Sequence, residues 1–175
     1  MLGVKVSRWF LMIFGLLAAG IIAGIVLTTT QAYAAPAQPI SFSHRVHTAA
    51  GVQCLYCHSG AQDSAVAGIP SVQKCMGCHS VIAADKDSVK AVANYFAKDK
   101  PIPWVAVNQE PDFVYFSHQP HIGAGLNCES CHGNVGQMDA DQPVVTMDMG
   151  WCLNCHLKQP EAQVGRLTDC LACHK

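Results

Sequence analysis

Charge is scarce in this sequence of 175 residues. Only 13% of the residues are charged and the formal net charge is −1, whereas soluble domains usually carry about 25% charged residues. A strongly basic surface for a nucleic-acid backbone is not indicated, so we expect no nucleic-acid partner. No cluster of lysine and arginine lies beside the repeated motifs described below, so no site for an anionic substrate is indicated either.

The sequence also has no cysteine outside one repeated pattern. All ten cysteines fall in five copies of Cys-x-x-Cys-His. Zinc sites and redox dithiols do not need a histidine directly after each pair, and neither do iron–sulfur clusters. A disulfide framework would not confine ten cysteines to five identical spacings. Numbered as motifs 1 to 5 in chain order, the copies are Cys54–His58, Cys75–His79, Cys128–His132, Cys152–His156 and Cys170–His174.

This spacing is the attachment pattern of c-type haem, in which both thiols form thioethers and the adjacent histidine binds the iron. The sequence therefore predicts five haem c groups and a role in electron transfer. The predicted attachment residues are Cys54, Cys57, Cys75, Cys78, Cys128, Cys131, Cys152, Cys155, Cys170 and Cys173, and the predicted proximal ligands are His58, His79, His132, His156 and His174.

The other four histidines lie in an internal repeat. Phe42-Ser43-His44-Arg45-Val46-His47 is matched by Phe116-Ser117-His118-Gln119-Pro120-His121, and each copy precedes a haem motif by the same six residues. Histidines confined to two matching pairs are predicted to be distal iron ligands, namely His44, His47, His118 and His121.

Nine histidines cannot fill the ten axial positions of five irons. At least one iron must take another sixth ligand, and methionine is the usual substitute. Met138, Met147 and Met149 lie between motifs 3 and 4, and one of them is the expected ligand, with Met149 slightly preferred. An open or water-bound iron and a ligand from a partner subunit remain as alternatives.

The N-terminus carries an uncharged apolar run from Trp9 to Leu27 after Lys5 and Arg8. Ala32-Tyr33-Ala34 resembles a signal-peptide cleavage site. The run is nevertheless close to the roughly 20 residues that span a bilayer, so we expect a retained, single-pass anchor with the basic residues on the cytoplasmic side. Gly20 and Gly24 are spaced for close approach of another helix, although glycine is common in membrane helices in general.

The predicted fold is a multihaem cytochrome c in which closely packed haems replace a conventional core, with short helices, loops and little sheet. The residues available for each haem are too few to build a conventional hydrophobic core around it. The predicted segments are an anchor helix (1–30), a linker (31–41) and a pentahaem domain (42–175). That domain divides into di-haem module 1 (42–79), a connector (80–115), di-haem module 2 (116–156) and the fifth haem (157–175).

A His-x-x-His pair shortly before a haem motif resembles cytochromes of the c3/c7 type. The resemblance covers about Phe42 to His156. In those proteins the first histidine binds the haem attached just downstream, and the second reaches another haem. The resemblance thus implies that His44 serves motif 1 and His118 serves motif 3, while His47 and His121 reach other haems.

The whole pattern resembles the pentahaem subunit of alternative complex III, through its anchor, its haem arrangement and the strings Pro101-Ile102-Pro103-Trp104, Pro111-Asp112-Phe113-Val114-Tyr115-Phe116-Ser117-His118 and Met149-Gly150-Trp151-Cys152. That family implies a quinol:electron-acceptor oxidoreductase complex. The implied partners are an iron–sulfur subunit, quinol-binding membrane subunits and a monohaem cytochrome c, with a cytochrome c or copper protein as external acceptor. The implied location is the periplasmic side of the cytoplasmic membrane.

The second hypothesis is an enzyme, a multihaem quinol dehydrogenase or reductase with an open catalytic haem. The ligand count allows a single open iron unless one histidine of the repeat is idle. Filled coordination spheres favour an electron-transfer subunit that catalyses nothing by itself.

Overall fold

The computed structural model describes residues 7 to 174. Lys5, predicted to flank the membrane segment, lies outside the described residues. The chain divides into two compact units, with the boundary between Ala34 and Ala35.

The first unit is built on one long helix, α1, at Arg8–Ala32. Within it, Arg8–Thr29 is 22 residues long and apolar enough to cross a membrane, which at about 1.5 Å per residue gives about 33 Å. The hydroxyls of Thr28 and Thr29 donate to backbone carbonyls three and four residues earlier in the helix, so these polar groups have partners inside the helix. By length and composition α1 is either a membrane anchor or a signal sequence.

The second unit consists of short helices joined by loops, and residues 7 to 174 contain no β-sheet. The only extended pairing found in this range is a single antiparallel bridge between Val114 and His174. The predicted fold class is confirmed in this respect. The helices are α2 (His44–Ala49), α3 (Cys54–Cys57), α4 (Val72–His79), α5 (Asp87–Ala97), α6 (His118–Gly123), α7 (Glu129–His132), α8 (Met149–His156), α9 (Glu161–Leu167) and α10 (Cys170–Cys173), with 3₁₀ turns at Ser59–Ala61 and Val135–Gln137.

The hydrophobic core of this unit is small. Ile40, Val72 and Ile102 form a buried cluster, and only Ala61 and Val89 are added to the buried apolar residues within the described range. At about 1.5–3 kcal/mol for each large side chain, such a core is slight beside the ordering cost of some 140 residues. Large apolar side chains such as Phe42, Tyr56 and Ile69 stay accessible, which is surface that a bound macrocycle can cover.

Two parts of the chain differ in detail from the sequence pattern. Ile40 belongs to the segment predicted as a linker, yet it is 5% exposed, and the side chain of Gln38 is bonded to the backbone of Val105. In α5 the aromatic side chain of Phe96 is 45% exposed. Tyr95 packs against the core cluster instead, because a tyrosine can bury its ring and leave its hydroxyl at the edge.

Candidate haem-binding site

Each of the five motifs lies on one turn of helix. Motif 1 is on α3, motif 2 on α4, motif 3 on α7, motif 4 on α8 and motif 5 on α10. Residues three apart are neighbours on a helix surface, so the two cysteines of a motif face the same side and the histidine follows one position later. Local capping starts the later turns: the carboxylate of Asp148 accepts from the N–H of Trp151, and that of Asp169 accepts from the N–H of Leu171.

None of the ten cysteines, all of which lie in the described range, forms a disulfide, and all are at least partly exposed. Burial raises the pKa of the thiols of Cys57, Cys75 and Cys131. A reactive dithiol or a zinc-binding thiolate needs the opposite shift. The described residues also contain no cluster of metal-ligating side chains of the kind that holds a free metal ion. The chemistry of the cysteines therefore fits thioether attachment.

The four histidines of the repeat sit on two equivalent helices. His44 and His47 lie on α2, and His118 and His121 lie on α6. In α2 the hydroxyl of Ser43 accepts from the N–H of Val46. In α6 no such cap forms at Ser117, because the matching residue is Pro120, which has no N–H; proline is tolerated there since first-turn N–H groups have no partner within the helix.

The phenylalanine that begins each repeat packs on both of its histidines. Phe42 is 4.9 Å from the ring of His44 and 4.5 Å from that of His47. Phe116 lies 4.8 Å from His118 and 4.7 Å from His121 in the same way. The repeated phenylalanine therefore fixes the ring orientation of both histidines, a role that the sequence pattern did not assign to it.

Each histidine of the repeat faces the histidine of one motif. The ring centroids are 6.5 Å apart for His44 and His58, and 6.0 Å apart for His47 and His79. The second repeat gives 6.3 Å for His118 and His132 and 6.0 Å for His121 and His156.

These distances match two imidazoles on opposite sides of one metal. A metal–imidazole bond is about 2.0–2.1 Å, and the centre of an imidazole lies roughly 1.2 Å behind its nitrogen, given ring bonds near 1.33 Å. Two bonds and two such offsets span about 6.4 to 6.6 Å when they lie in line, close to the observed distances of 6.0 to 6.5 Å. The side chains present therefore fit four irons with two histidines each.

One pair differs from the others in the angle between its rings. The planes of His47 and His79 cross at 74°, whereas the other three pairs are within 10° to 24° of parallel. Ring orientation decides which iron d orbitals each imidazole overlaps, and it is one of the levers by which a protein tunes such a centre. The angle between its rings therefore distinguishes the histidine pair at motif 2 from the other three pairs.

Backbone carbonyls orient most of the imidazoles. A carbonyl oxygen lies near Nδ1 in seven of the nine histidines, so that Nδ1 carries the proton and Nε2 keeps its lone pair for a metal. Sequence reasoning missed these partners, because a carbonyl has no side-chain signal. The pairs are His47–Ser43, His58–Gly68, His79–Ile82, His118–Ala65, His121–Ser117, His156–Leu167 and, at 3.4 Å, His174–Phe113.

The two remaining imidazoles are those of His44 and His132. Burial lowers the pKa of His44 and of His132, which favours the neutral form that binds metal. The side-chain amide of Asn108 lies 3.2 Å from Nδ1 of His132. Nδ1 of His44 is buried and lacks a hydrogen-bond partner in the described part of the chain.

Motif 5 is the exception in the described range, which contains all nine histidines. The ring that lies beside His174 is that of Phe113, at 5.9 Å and 27°, and every histidine outside the motifs faces another motif. Of the predicted methionines, Met149 begins α8 and is 63% exposed, Met147 is half-buried, and Met138 follows the second 3₁₀ turn, where its carbonyl accepts from the N–H of Arg45. Methionine ligation stays a prediction.

The fold and the histidine pairs define a class, the c-type cytochromes that carry several covalently bound haems. Residues 114–175 match the family described as "Cytochrome c7 and related cytochrome c", and residues 24–103 match the "Class III cytochrome C family". The resemblance to the c3/c7 type is thereby confirmed.

Similarity to an individual protein places the chain more closely within this class. The chain is 34% identical over 166 residues to "Menaquinone reductase, multiheme cytochrome c subunit" of Nitratidesulfovibrio vulgaris, covering 82% of this chain and 79% of that protein. The chain belongs to the family of multihaem cytochromes c that includes this subunit.

Proposed function

We propose that this protein is an electron-transfer subunit of a quinone-linked membrane oxidoreductase, with five haem c groups attached at motifs 1 to 5. One observation carries the proposal: four motif histidines each face a second imidazole at the spacing of two axial ligands. Iron held on both sides has no coordination position for a substrate, so electrons can pass while no bond to a substrate is made. The relative's name, which places it in a menaquinone reductase, supports the quinone link.

The proposed complex is of the alternative complex III type and oxidises quinol. Its expected partners are an iron–sulfur subunit, quinol-binding membrane subunits and a monohaem cytochrome c, with a cytochrome c or copper protein as final acceptor. The haem groups supply reversible one-electron chemistry when bound, and this chain orients their ligands through the carbonyl contacts described above. Within it, haems 1 and 2 form module 1 (42–79), haems 3 and 4 form module 2 (116–156), and haem 5 follows.

The test is isolation of the native complex in mild detergent, followed by addition of menaquinol under anaerobic conditions. We expect the other subunits to co-purify and the haem absorption to shift to the reduced form. The opposite result is that the haems stay oxidised with menaquinol, whereas reduced haems are oxidised by menaquinone. The complex would then reduce menaquinone, as the relative's name states, and the proposal that it oxidises quinol would be wrong. If the chain purifies alone and reacts with neither, the subunit proposal itself fails.

One observation favours the enzymatic alternative: within the described range, His174 faces a phenylalanine ring and no second imidazole. An open iron at motif 5 is the site that a reductase would use. Electron paramagnetic resonance (EPR) of the oxidised protein separates the two functions. A high-spin signal that shifts on addition of nitrite or cyanide supports the enzyme, and its absence supports the electron-transfer subunit.

For the first unit we propose a single-pass anchor in the cytoplasmic membrane, with the haem domain on the periplasmic side. The length of α1 suits a bilayer, and Arg8 at its start suits the cytoplasmic face. Covalent haem attachment belongs to the opposite side of that membrane.

The anchor proposal predicts that the mature protein keeps residues 1 to about 30. N-terminal sequencing or intact mass spectrometry of protein purified from membranes is the measurement. Mature protein that begins at Ala35 would show that Ala32-Tyr33-Ala34 is cleaved and that the chain does not anchor itself.

A further inference from the structure

Contacts between the motifs give their spatial order, which the sequence does not contain. Motifs 1 and 2 are neighbours: Nζ of Lys74, beside motif 2, donates to the carbonyl of Tyr56 in motif 1 at 2.5 Å and lies 4.8 Å from its ring centre. Helix α2 bridges both, since His44 faces motif 1 and His47 faces motif 2.

Motifs 1 and 3 are also neighbours. The chain just after motif 1 holds the helix that serves motif 3, because both the N–H and Nδ1 of His118 donate to the carbonyl of Ala65. A second link runs from α2 to the turn after motif 3, where the hydroxyl of Thr48 donates to the carbonyl of Gly136 at 2.7 Å.

Motifs 3 and 4 share α6 as motifs 1 and 2 share α2, since His118 faces motif 3 and His121 faces motif 4. Motif 5 follows motif 4: Nδ1 of His156 donates at 2.8 Å to the carbonyl of Leu167, at the end of α9 just before motif 5.

We propose that the five motifs form a single file in the order 2, 1, 3, 4, 5, and that the file ends at the one iron that takes its sixth ligand from outside the histidines of this chain. The inference rests on the proposed attachment of five haems. It places the chemically distinct centre at a terminus of the electron path, beside Phe113, and not between two paired centres. Motif 2, with its crossed imidazoles, is the opposite terminus. Electrons are therefore exchanged with other subunits at motifs 2 and 5.

The position of the distinct iron is tested by removing one end of the file at a time. In the full-length, haem-loaded protein, C170S/C173S and C75S/C78S should each lower the intact mass by one haem. We expect C170S/C173S to abolish the one EPR and redox component that differs from the histidine-paired centres. The matched variant C75S/C78S should keep that component and lose the signal of the crossed pair. A distinct component that survives C170S/C173S would overturn the assignment.

A milder variant covers the case in which C170S/C173S does not mature. Phe113 is 62% exposed, so F113A should leave folding intact and shift only the distinct component in EPR and redox titration. The control F96A changes an exposed phenylalanine on α5 and should leave all components unchanged. A shift in a paired centre with no shift in the distinct one would contradict the proposal.

The order of the file is tested through magnetic coupling, which acts between neighbouring paramagnetic irons and weakens steeply with distance. The signal of motif 2 should sharpen when its only neighbour is removed in C54S/C57S. It should be unchanged in C128S/C131S, which removes motif 3. Sharpening in C128S/C131S would overturn the order. If the unaltered protein carries five haems and this sharpening is seen, the order alone is refuted. If the unaltered protein carries fewer than five haems, the proposed function is refuted.

Discussion

Replacing His121 with alanine should convert one low-spin haem into a high-spin haem that binds cyanide. The ring of His121 lies 6.0 Å from that of His156 at 24°, and its Nδ1 donates to the carbonyl of Ser117 at 2.7 Å, so Nε2 is directed at the motif. Alanine removes the imidazole that faces His156. We expect equivalent results from alanine at His44, His47 and His118, each at a different motif. Visible absorption and EPR of the oxidised protein are the measurements.

The matched control is Gln119→Ala on the same helix. Gln119 is exposed, and its interaction with Ser64 is made by its backbone N–H, which alanine retains. This variant should keep every haem low-spin. If H121A also keeps an entirely low-spin spectrum, His121 has a structural role and motif 4 uses another ligand.

A redox titration should show one component well above the other four. Thioether is a weaker donor to ferric iron than imidazole, so a histidine–methionine haem is reduced more easily. Replacing the ligating methionine with histidine should lower that component alone and abolish the weak long-wavelength band of the ferric thioether complex. Met149, Met147 and Met138 are the candidates, and because the histidines of the repeat face motifs 1 to 4, the affected haem is the one at motif 5.

Met76→Leu is the control for the methionine series. Met76 lies inside motif 2 and packs against the core cluster, and leucine conserves its volume, so the titration should not change. If all three histidine variants leave the high component in place, its sixth ligand is water, is absent, or comes from a neighbouring subunit.

The sequence predicted more of the chemistry of the site than of its geometry. Cysteines three apart and a following histidine specify both a helical turn and a covalent attachment, so the motifs could be read directly. The Phe-Ser-His-x-x-His repeat likewise marked the candidate distal ligands. It did not reveal why phenylalanine begins each copy, because that depends on ring contacts in three dimensions.

The parts that could not be predicted are held by backbone groups and long-range contacts. The carbonyls of Ala65, Gly68 and Leu167 orient imidazoles, and carbonyls leave no trace in residue identity. His118 bonds to the carbonyl of Ala65, which is 53 positions away in the sequence, and identical motifs give no information on which pairs meet. Ile40 looked like part of a linker because alanine and proline surround it, whereas burial against Val72 and Ile102 decides its position.

The central claim is that every motif carries a haem, and the intact mass of the mature protein tests it most directly. Each haem adds about 0.6 kDa through two thioethers, so five should add about 3 kDa to the 18.7 kDa chain. Spectra taken under denaturing conditions should show that none is released. A fully matured protein with four haems or fewer would contradict the account, since at least one motif would then be only a pattern in the sequence.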